Sequence, residues 1–283
     1  MAETETEAQV APESETLEAS DFSALLDKEF KPKSDRSKKA VEEAVRTLAE
    51  QALQYTSLIS TDVMESIESM IAEIDKQLSD QINLIMHNEE FQKLEGAWRG
   101  LHHLVNNTET DEMLKIRVLN ISKKEVHKTL KSYKGTAWDQ SPIFKKLYEV
   151  EYGQFGGEPY GCLVGDYYFD HSPPDIELLG QISQISAAAH APFIAAAAPT
   201  LMQMDSWQEL SNPRDLTKIF TTPEYAAWRS LRESEDARYI GLAMPRFLSR
   251  LPYGANTNPV EEFNFEEETE AADSSKYTWA NSA

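Results

Sequence analysis

The sequence predicts an α/β fold in which a mainly parallel or mixed sheet is flanked by helices and preceded by an N-terminal helical segment. Two observations support this class. Apolar residues recur at steps of three and four through residues 38–110, which is the period of amphipathic helices. Beyond residue 111, short apolar runs alternate with helical patterns, and this alternation is typical of a parallel sheet covered by helices.

Residues 1–37 are predicted to be a disordered acidic leader that contains one short helical motif, SDFSALLDKEF, at 20–30. The apolar residues of this motif fall at helical spacing and are Phe22, Leu25, Leu26 and Phe30. The motif is either a helix that packs on its own domain or a linear motif that enters the groove of a partner protein. The polar linker that follows, KPKSDRSKK, separates the motif from the next helix and so strengthens the second interpretation.

Three amphipathic helices are predicted in residues 38–110, and the first covers residues 38–58. The second begins near Asp62, because Asp62 and Glu65 have the spacing of a capping box. We expect the apolar faces of the second and third helices to be buried against other helices. The apolar residues of the second helix are Val63, Ile67, Met70, Ile71, Ile74, Leu78, Ile82 and Ile85, and those of the third are Phe91, Leu94, Trp98, Leu101 and Val105.

Residues 111–258 are predicted to form an α/β domain. Its first strand is LKIRVLNIS at 114–122, where apolar and polar side chains alternate. A strand at 160–169 and a fully apolar strand at 192–198 are connected by a helix at 175–191. The inward face of this helix is predicted to be Ile176, Leu179, Ile182 and Ile185. The remaining elements are helices at 122–133 and 141–155, helical pieces at 207–211, 213–220 and 223–234, and a last strand at 238–248.

The last segment, residues 259–283, is predicted to be an acidic linker. Phe263 and Phe265 interrupt its acidic run, and we expect them to anchor it on the domain because they are too apolar for a fully solvated tail. Beyond about Glu268 we expect disorder, since closely spaced carboxylates repel one another and leave nothing to bury.

The charge of the chain is concentrated at its two ends. The 283 residues carry a formal net charge of −21, of which residues 1–30 contribute −8 and residues 261–283 contribute −6. This excess of acid argues against non-specific nucleic-acid binding. No apolar run is long enough to span a membrane. The acidic N-terminus lacks the apolar stretch of a secretory signal, and a single cysteine allows no intrachain disulfide, which favours the cytoplasm.

The glycine-rich stretch EYGQFGGEPYG, residues 151–161, invites comparison with phosphate-binding loops. Its glycines do not follow the G-x-G-x-x-G spacing, and it precedes a strand, whereas a phosphate-binding turn lies between the end of a strand and the start of a helix. The sequence has neither a Walker A lysine motif nor a G-x-S-x-G elbow. We therefore expect a tight structural turn and no cofactor.

No metal site is expected either. His102 and His103 are adjacent on a predicted helix and therefore point in different directions. No Cys/His spacing resembles a zinc site. Cys162 lies among apolar residues of a predicted strand and is expected to be buried and inert.

One polar cluster leaves an enzymatic alternative open. Asp166, Asp170 and His171 lie toward the C-terminal end of a predicted strand, where α/β enzymes usually place their sites. These side chains could supply a general acid or base. The other interpretation is that they cap the strand end before the Ser-Pro-Pro turn. A soluble α/β enzyme is therefore the second hypothesis.

Long segments of the chain resemble one protein family. The stretches HNEEFQKLEGAWRGLHHLVNNT, at 87–108, and EYGQFGGEPYGCLVGDYYFDH, at 151–171, are similar to the large subunit of the contractile sheath of the bacterial type VI secretion system, the TssC or VipB family. LGQISQIS, AAAHAPFIAAAAP, GLAMPRFLSRLPYG and NPVEEFNFEEE fit the same family in the same order. Members of the family are longer than this chain. Residues 259–283 are therefore expected to lead toward a C-terminal half that is absent here.

The resemblance implies a structural protein without catalysis and without a cofactor. It implies pairing with the small sheath subunit, TssB or VipA, and contact with other sheath subunits in a tube that surrounds an inner tube protein and contracts. Residues 111–258 would be the outer domain of this sheath. The resemblance also implies that a ClpV-type AAA+ ATPase recognises a short N-terminal helix. Its counterpart in this chain is the motif with Phe22, Leu25, Leu26 and Phe30.

Overall fold

The structure is a computed structural model that describes residues 63–212, 216–270 and 273–283, together with four helical positions, Lys39, Glu43, Ala44 and Thr47. The predicted leader with its motif lies outside the described residues, as does nearly all of the predicted helix at 38–58. The chain divides into two compact units, Met1–Leu78 and Ser79–Ala283. The four predicted domain ranges stay a prediction.

Helix α1 spans Val63–Met86, close to the predicted second helix. Its buried side chains include Met70, Asn83 and Met86. The prediction of a buried apolar face is wrong for most of the helix: Ile71, Leu78 and Ile85 are exposed, and Ile67, Ile74 and Ile82 are half-buried. An apolar stripe shows that a helix has a partner surface, but it does not show which chain supplies that surface.

The second unit alternates helices with short strands. Its helices are α2, Glu89–Asn106, α3, Lys123–Lys131, α4, Pro142–Phe144, α5, Pro173–Ala189, α6, Leu216–Ile219, and α7, Ala226–Glu233. Its strands are β1, Leu163–Phe169, β2, Phe193–Ala197, β3, Ile240–Ala243, β4, Phe247–Leu248, and β5, Trp279–Ala280. A π-helical turn, Lys145–Glu149, continues α4, and 3₁₀ helices lie at Gly135–Gln140, Pro199–Met202, Trp207–Ser211, Pro223–Tyr225, Glu235–Tyr239 and Ser274–Lys276.

A parallel three-stranded sheet lies at the centre of this unit. Its strands follow the order β1-β2-β3, and Phe193 of β2 lies opposite Leu163 on one side and Ile240 on the other. Parallel neighbours need a long crossover connection, and helix α5 supplies the one between β1 and β2. The predicted α/β class with a parallel sheet and flanking helices is confirmed.

Helix α5 packs on the sheet and forms the core. It begins at two prolines, whose missing N–H groups cost little in a first helical turn, and it ends where His190 adopts a left-handed conformation. The predicted inward face is confirmed, because Leu179, Ile182 and Ile185 are buried and Ile176 packs against the same core. The side chains buried with them include Phe169, Leu178, Phe193, Ala195, Tyr225 and Trp228.

The other face of the sheet is only partly covered. Val164 of β1 is 51% exposed and Tyr168 is also exposed, whereas Phe169 on the α5 side is fully buried. Parallel sheets are normally covered on both faces. Val164 and Tyr168 therefore mark a surface that the described residues leave open.

Two predicted strands differ in the structure. Residues 114–122 form no strand, because no strand in the described part of the chain pairs with them. The predicted strand at 238–248 is split, since β3 ends at Ala243 and β4 begins at Phe247 in a second sheet. Pro245 lies between them and has no N–H to donate to a ladder, which explains the break.

Two further expectations from the sequence are wrong. The helix predicted at 141–155 ends with the π-helical turn at Glu149, because the glycines that follow favour a turn over a helix. Cys162 is exposed and precedes β1 instead of lying within it.

The segment after residue 250 packs back on its own unit. Phe265 is buried and its ring centre lies 6.1 Å from that of Tyr253, which confirms Phe265 as an anchor, while Phe263 is half-buried. The disorder expected beyond Glu268 is contradicted, because β5 forms near the end of the segment and pairs antiparallel with β4. The carboxylates of this segment do not simply repel one another, since Glu267 has a buried cationic partner in Arg250.

Candidate assembly surface

Helix α2 has one face packed against the C-terminal segment and one face open. Asn88 caps its first turn by accepting hydrogen bonds from two backbone N–H groups. Small residues form the packed face: a Cβ atom at Gly96 would lie 2.3 Å from the carbonyl oxygen of Trp279, and one at Gly100 would contact Ala280. Glycine at position 96 is what allows β5 to approach the helix this closely.

A buried arginine joins α2 to the C-terminal segment. The guanidinium of Arg250, whose side chain is 6% exposed, donates to Glu95 of α2 at 2.7 Å and to Glu267 at 2.6 Å. It also lies 4.5 Å from the centre of the Tyr253 ring. The Glu267 side chain is only 1% exposed, so Arg250 is the cation that compensates its charge. We call Arg250, Glu95 and Glu267 the arginine clasp.

The clasp favours the charged forms of Glu95 and Arg250. Burial alone would raise the pKa of Glu95, but hydrogen bonds from Arg250 and Arg99 outweigh burial and hold that pKa below its ordinary value. Burial likewise opposes the charge of Arg250, yet hydrogen bonds to Glu267 and Glu95 raise its pKa. His87 Nε2 lies 3.8 Å from Glu267, but burial lowers the pKa of His87 despite the nearby carboxylate. The clasp is therefore a structural ion-pair network.

The prediction that the apolar face of α2 is buried is wrong. Trp98 is 65% exposed and Leu94 is 57% exposed. Phe91 and Val105 are exposed as well, and Leu101 is half-buried. These five residues follow one another at alternating steps of three and four, which is the heptad spacing of a helix that packs along another helix. We call them the apolar stripe of α2.

The three residues of the enzymatic alternative have separate partners. Asp166 lies within β1, where burial raises its pKa although Asn281 donates a hydrogen bond to it. Asp170 accepts a hydrogen bond at 2.8 Å from a backbone N–H at the start of α5. The ring of His171 stacks on that of Tyr225, with centres 4.4 Å apart. They share no hydrogen-bond partner in the described part of the chain, which favours the capping interpretation.

The glycine-rich turn is held together by ion pairs. Arg117 contacts Glu151 at 2.5 Å and Glu158 at 2.6 Å, and Lys115 pairs with Glu158. Glu151 also accepts a hydrogen bond at 3.0 Å from the backbone N–H of Glu158. Gly157 lies so close to this backbone that a Cβ atom would be 2.2 Å from the carbonyl oxygen of Glu151. The expected tight structural turn is confirmed.

The predicted ATPase-binding residues, Phe22, Leu25, Leu26 and Phe30, lie outside the described residues, and their role stays a prediction. Within the described ranges, no helix is long and apolar enough to cross a membrane. The same ranges contain no group of three or more His, Cys, Asp or Glu side chains that could hold a metal ion.

An exposed apolar helix stripe, a partly open sheet face and a buried ion-pair clasp are typical of a structural protein that assembles with other protein chains. A family model agrees with this class. The VipB model, described as EvpB/VC_A0108, tail sheath N-terminal domain, matches residues 68–283. Because the match covers most of the chain, the chain belongs to the VipB family of tail sheath proteins.

One sheath protein of known name resembles this chain over its whole length. The protein named type VI secretion system sheath protein TssC1, from Pseudomonas aeruginosa strain PAO1, is 74% identical over 283 residues. The alignment covers the whole of this chain and 57% of that relative, so the chain spans little more than half the length of the relative it matches. The family resemblance read from the sequence is confirmed.

Proposed function

We propose that the chain is part of the large subunit of a type VI secretion contractile sheath in the bacterial cytoplasm. In this function it pairs with a small sheath subunit, TssB, and with other sheath subunits to build a tube around an inner tube protein. Contraction of the outer tube then drives the inner tube outward. VipB family membership and the name of the 74% identical relative support this function.

The observation that carries the assembly part of this function is the apolar stripe of α2. A row of apolar residues with heptad spacing is buried when a second helix packs along it. Burial of each large apolar side chain contributes about 1.5–3 kcal/mol, so leaving the stripe in water forgoes a large favourable term. We therefore propose that a helix of the small sheath subunit packs along residues 91–105.

A non-enzymatic function is consistent with the contacts of the polar strand end. Asp170 accepts a hydrogen bond from a backbone N–H at the start of α5, and the ring of His171 stacks on that of Tyr225. Asp166 has a hydrogen-bond partner in the C-terminal segment. These contacts are those of a packed structural corner. No contact among the described residues favours the enzymatic alternative over the sheath function.

Co-expression of the full-length sheath protein with the small subunit tests this function. We expect the two proteins to co-elute from a size-exclusion column and to form tubes visible by negative-stain electron microscopy. Each subunit expressed alone is the matched control and should form no tubes. Independent elution of the two proteins would contradict the proposed pairing.

Replacing Trp98 by serine should weaken binding of the small subunit at least about tenfold, because aromatic anchors at the centre of an interface carry much of its binding energy. Trp98 is largely exposed, so the unfolding free energy of the chain should change by less than about 1 kcal/mol. Isothermal titration and urea unfolding measure the two quantities.

The control for Trp98→Ser is Lys93→Gln on the same helix, since the Lys93 side chain is 70% exposed and its ion pair in the described part of the chain is with Glu89, one turn away. It should leave binding of the small subunit unchanged. Equal affinities for wild type and Trp98→Ser would show that the apolar stripe faces something other than this partner.

The motif at 20–30 is proposed to bind the N-terminal domain of a ClpV-type ATPase, which dismantles the contracted sheath. Replacing Leu25 by aspartate removes an apolar contact worth about 1.5–3 kcal/mol and should weaken binding at least tenfold. Titration of a peptide of residues 20–30 against the ATPase domain measures this. Lys28→Gln, which helical spacing places away from the apolar residues, is the control, and unchanged affinity of the Leu25→Asp peptide would reject the assignment.

A further inference from the structure

His87 lies in the turn between α1 and α2, where its side chain packs against the C-terminal segment. This side chain is only 12% exposed. Its Nε2 atom is buried and has no hydrogen-bond partner among the described residues, because the carboxylate oxygen of Glu267, at 3.8 Å, is too distant to accept one. A buried polar atom without a partner is rare in folded proteins, so this ring has an unusual environment.

A side chain one helical turn before His87 ties this region to the C-terminal segment. Asn83 is 5% exposed, and its amide nitrogen donates to the carbonyl of Glu266 at 3.1 Å. Its amide oxygen accepts from the backbone N–H of Glu268 at 3.0 Å. We call these two hydrogen bonds the Asn83 clamp. Because Glu267 lies between the two clamped residues, a charge on His87 would arise directly beside the clamp.

The carboxylate beside His87 already has other partners. Glu267 accepts two hydrogen bonds from the Arg250 guanidinium, at 2.6 and 3.0 Å, and a third from the backbone N–H of Tyr253 at 2.8 Å. A protonated His87 would have to compete with Arg250, a second cation in the same buried place. A neutral imidazole does not compete for this carboxylate, so the contacts favour the uncharged ring.

The remaining surroundings of His87 also favour its neutral form. Burial of the ring is the largest influence and lowers the pKa of His87 from its ordinary value of 6.5. Nearby cations lower this pKa further, nearby carboxylates raise it, and burial and the cations together outweigh the carboxylates. The charged side chains that face His87 are Arg250, Glu267, Glu268, Asp273 and Lys276.

We propose that His87 is an acid-sensitive latch: its neutral ring lets the α1–α2 turn pack on residues 266–268, and protonation of the ring loosens this contact. The inference goes beyond the proposed sheath function and does not depend on it. Protonation makes both ring nitrogens donors, so Nε2 becomes a charged donor without an acceptor in range. The charged ring can be solvated only if it moves toward water, and this movement displaces the turn next to the Asn83 clamp.

The stability of the chain should fall with pH in a window that His87 sets. The unfolded ring has its ordinary pKa of about 6.5 and the folded ring a lower one, so below about pH 6.5 the unfolded state binds more protons and stability is lost. Above this window the ring is neutral in both states. Between pH 7.5 and pH 5.5 the equilibrium constant for unfolding should rise at least about threefold more in the wild type than in His87→Phe, which keeps an aromatic ring but cannot be protonated. Urea unfolding followed by circular dichroism at each pH measures this.

Hydrogen exchange resolved by NMR tests whether the loosening is local. The Glu268 amide is a member of the Asn83 clamp, whereas the amides of β2 belong to the buried sheet. On going from pH 7.5 to pH 5.5, the protection factor of the Glu268 amide should fall at least about threefold more than those of β2. In His87→Phe the two should change alike. The NMR signal of the His87 ring itself should titrate below pH 6.5.

The matched control is His102→Gln, an exposed histidine on α2, which should keep the pH dependence of the wild type. If circular dichroism shows that His87→Phe does not fold, His87→Gln takes its place, because glutamine is also uncharged at every pH. Equal pH dependence of the wild type and the His87 variant would overturn the latch. Titration of the His87 ring at or above pH 6.5, or an equal loss of protection in β2, would do the same, and each of these results would leave the sheath function standing.

Discussion

Replacing Arg250 by methionine should cost the chain about 3–5 kcal/mol of unfolding free energy, because removing one partner of a buried ion pair leaves the remaining charge buried and unpaired. Methionine keeps much of the apolar stem but removes the hydrogen bonds to Glu95 and Glu267. Glu267 cannot exchange this partner for water without rearrangement, since its side chain is 1% exposed. Urea unfolding followed by circular dichroism measures the loss.

The matched control for this prediction is Arg238→Met. The Arg238 side chain is 67% exposed and its guanidinium lies 3.9 Å from Glu235, so this pair is a surface ion pair. Its loss should change the unfolding free energy by less than about 0.5 kcal/mol. If Arg250→Met were no more damaging than Arg238→Met, the clasp would not hold α2 to the C-terminal segment.

Replacing Phe169 by alanine should cost about 3–5 kcal/mol, because truncating a buried phenylalanine removes its transfer free energy and leaves a cavity. Phe169 is fully buried on the α5 side of the sheet, its ring centre lies 6.2 Å from that of Phe193, and the Lys123 ammonium lies 4.4 Å from its ring centre. Urea unfolding measures the difference in unfolding free energy from wild type.

Val164→Ala is the control for Phe169→Ala, since Val164 lies on the same strand but is 51% exposed. In the free chain it should cost less than about 1 kcal/mol. The same substitution should reduce formation of sheath tubes with the small subunit if a partner covers the open sheet face. Losses of equal size for the two variants in the free chain would mean that both faces of the sheet are buried.

Elements whose signals are local could be predicted from the sequence. Helix α3 begins after Ser122 because Ser122 and Glu125 form a capping box only three residues apart. Helix α5 buries Leu179, Ile182 and Ile185 because its apolar period matches the helix. In both cases the residues that decide the structure lie within a turn or two of one another.

The orientation of α2 could not be predicted in this way. Its sequence identifies an apolar face correctly, but the face that packs within the unit is the one with Gly96 and Gly100. β5 can approach α2 closely only where the helix has no side chain, as at Gly96. Trp279 of β5 lies far along the chain from this glycine, so no local pattern predicts the contact. Hydrophobic periodicity therefore located the apolar stripe of α2 correctly, but the expectation that this stripe is buried against other helices was wrong.

The segment at 114–122, which forms no strand, is a related case. Its alternation predicts a strand, but a strand exists only when a neighbour accepts and donates its hydrogen bonds. No neighbour is present among the described residues. The sequence thus indicates that the segment has the alternation of a strand, although no strand among the described residues pairs with it.

By itself, the sequence determined the family, the α/β class and the helical or extended period of most elements, because these depend on composition and on residues close together in the chain. Only the tertiary structure decided which helix faces are left for partners and which charges are buried. Glu95 and Arg250 are 155 positions apart, yet their side chains meet at 2.7 Å. No local pattern relates two such residues, since only folding of the intervening chain brings them together and removes the water that would otherwise solvate each charge.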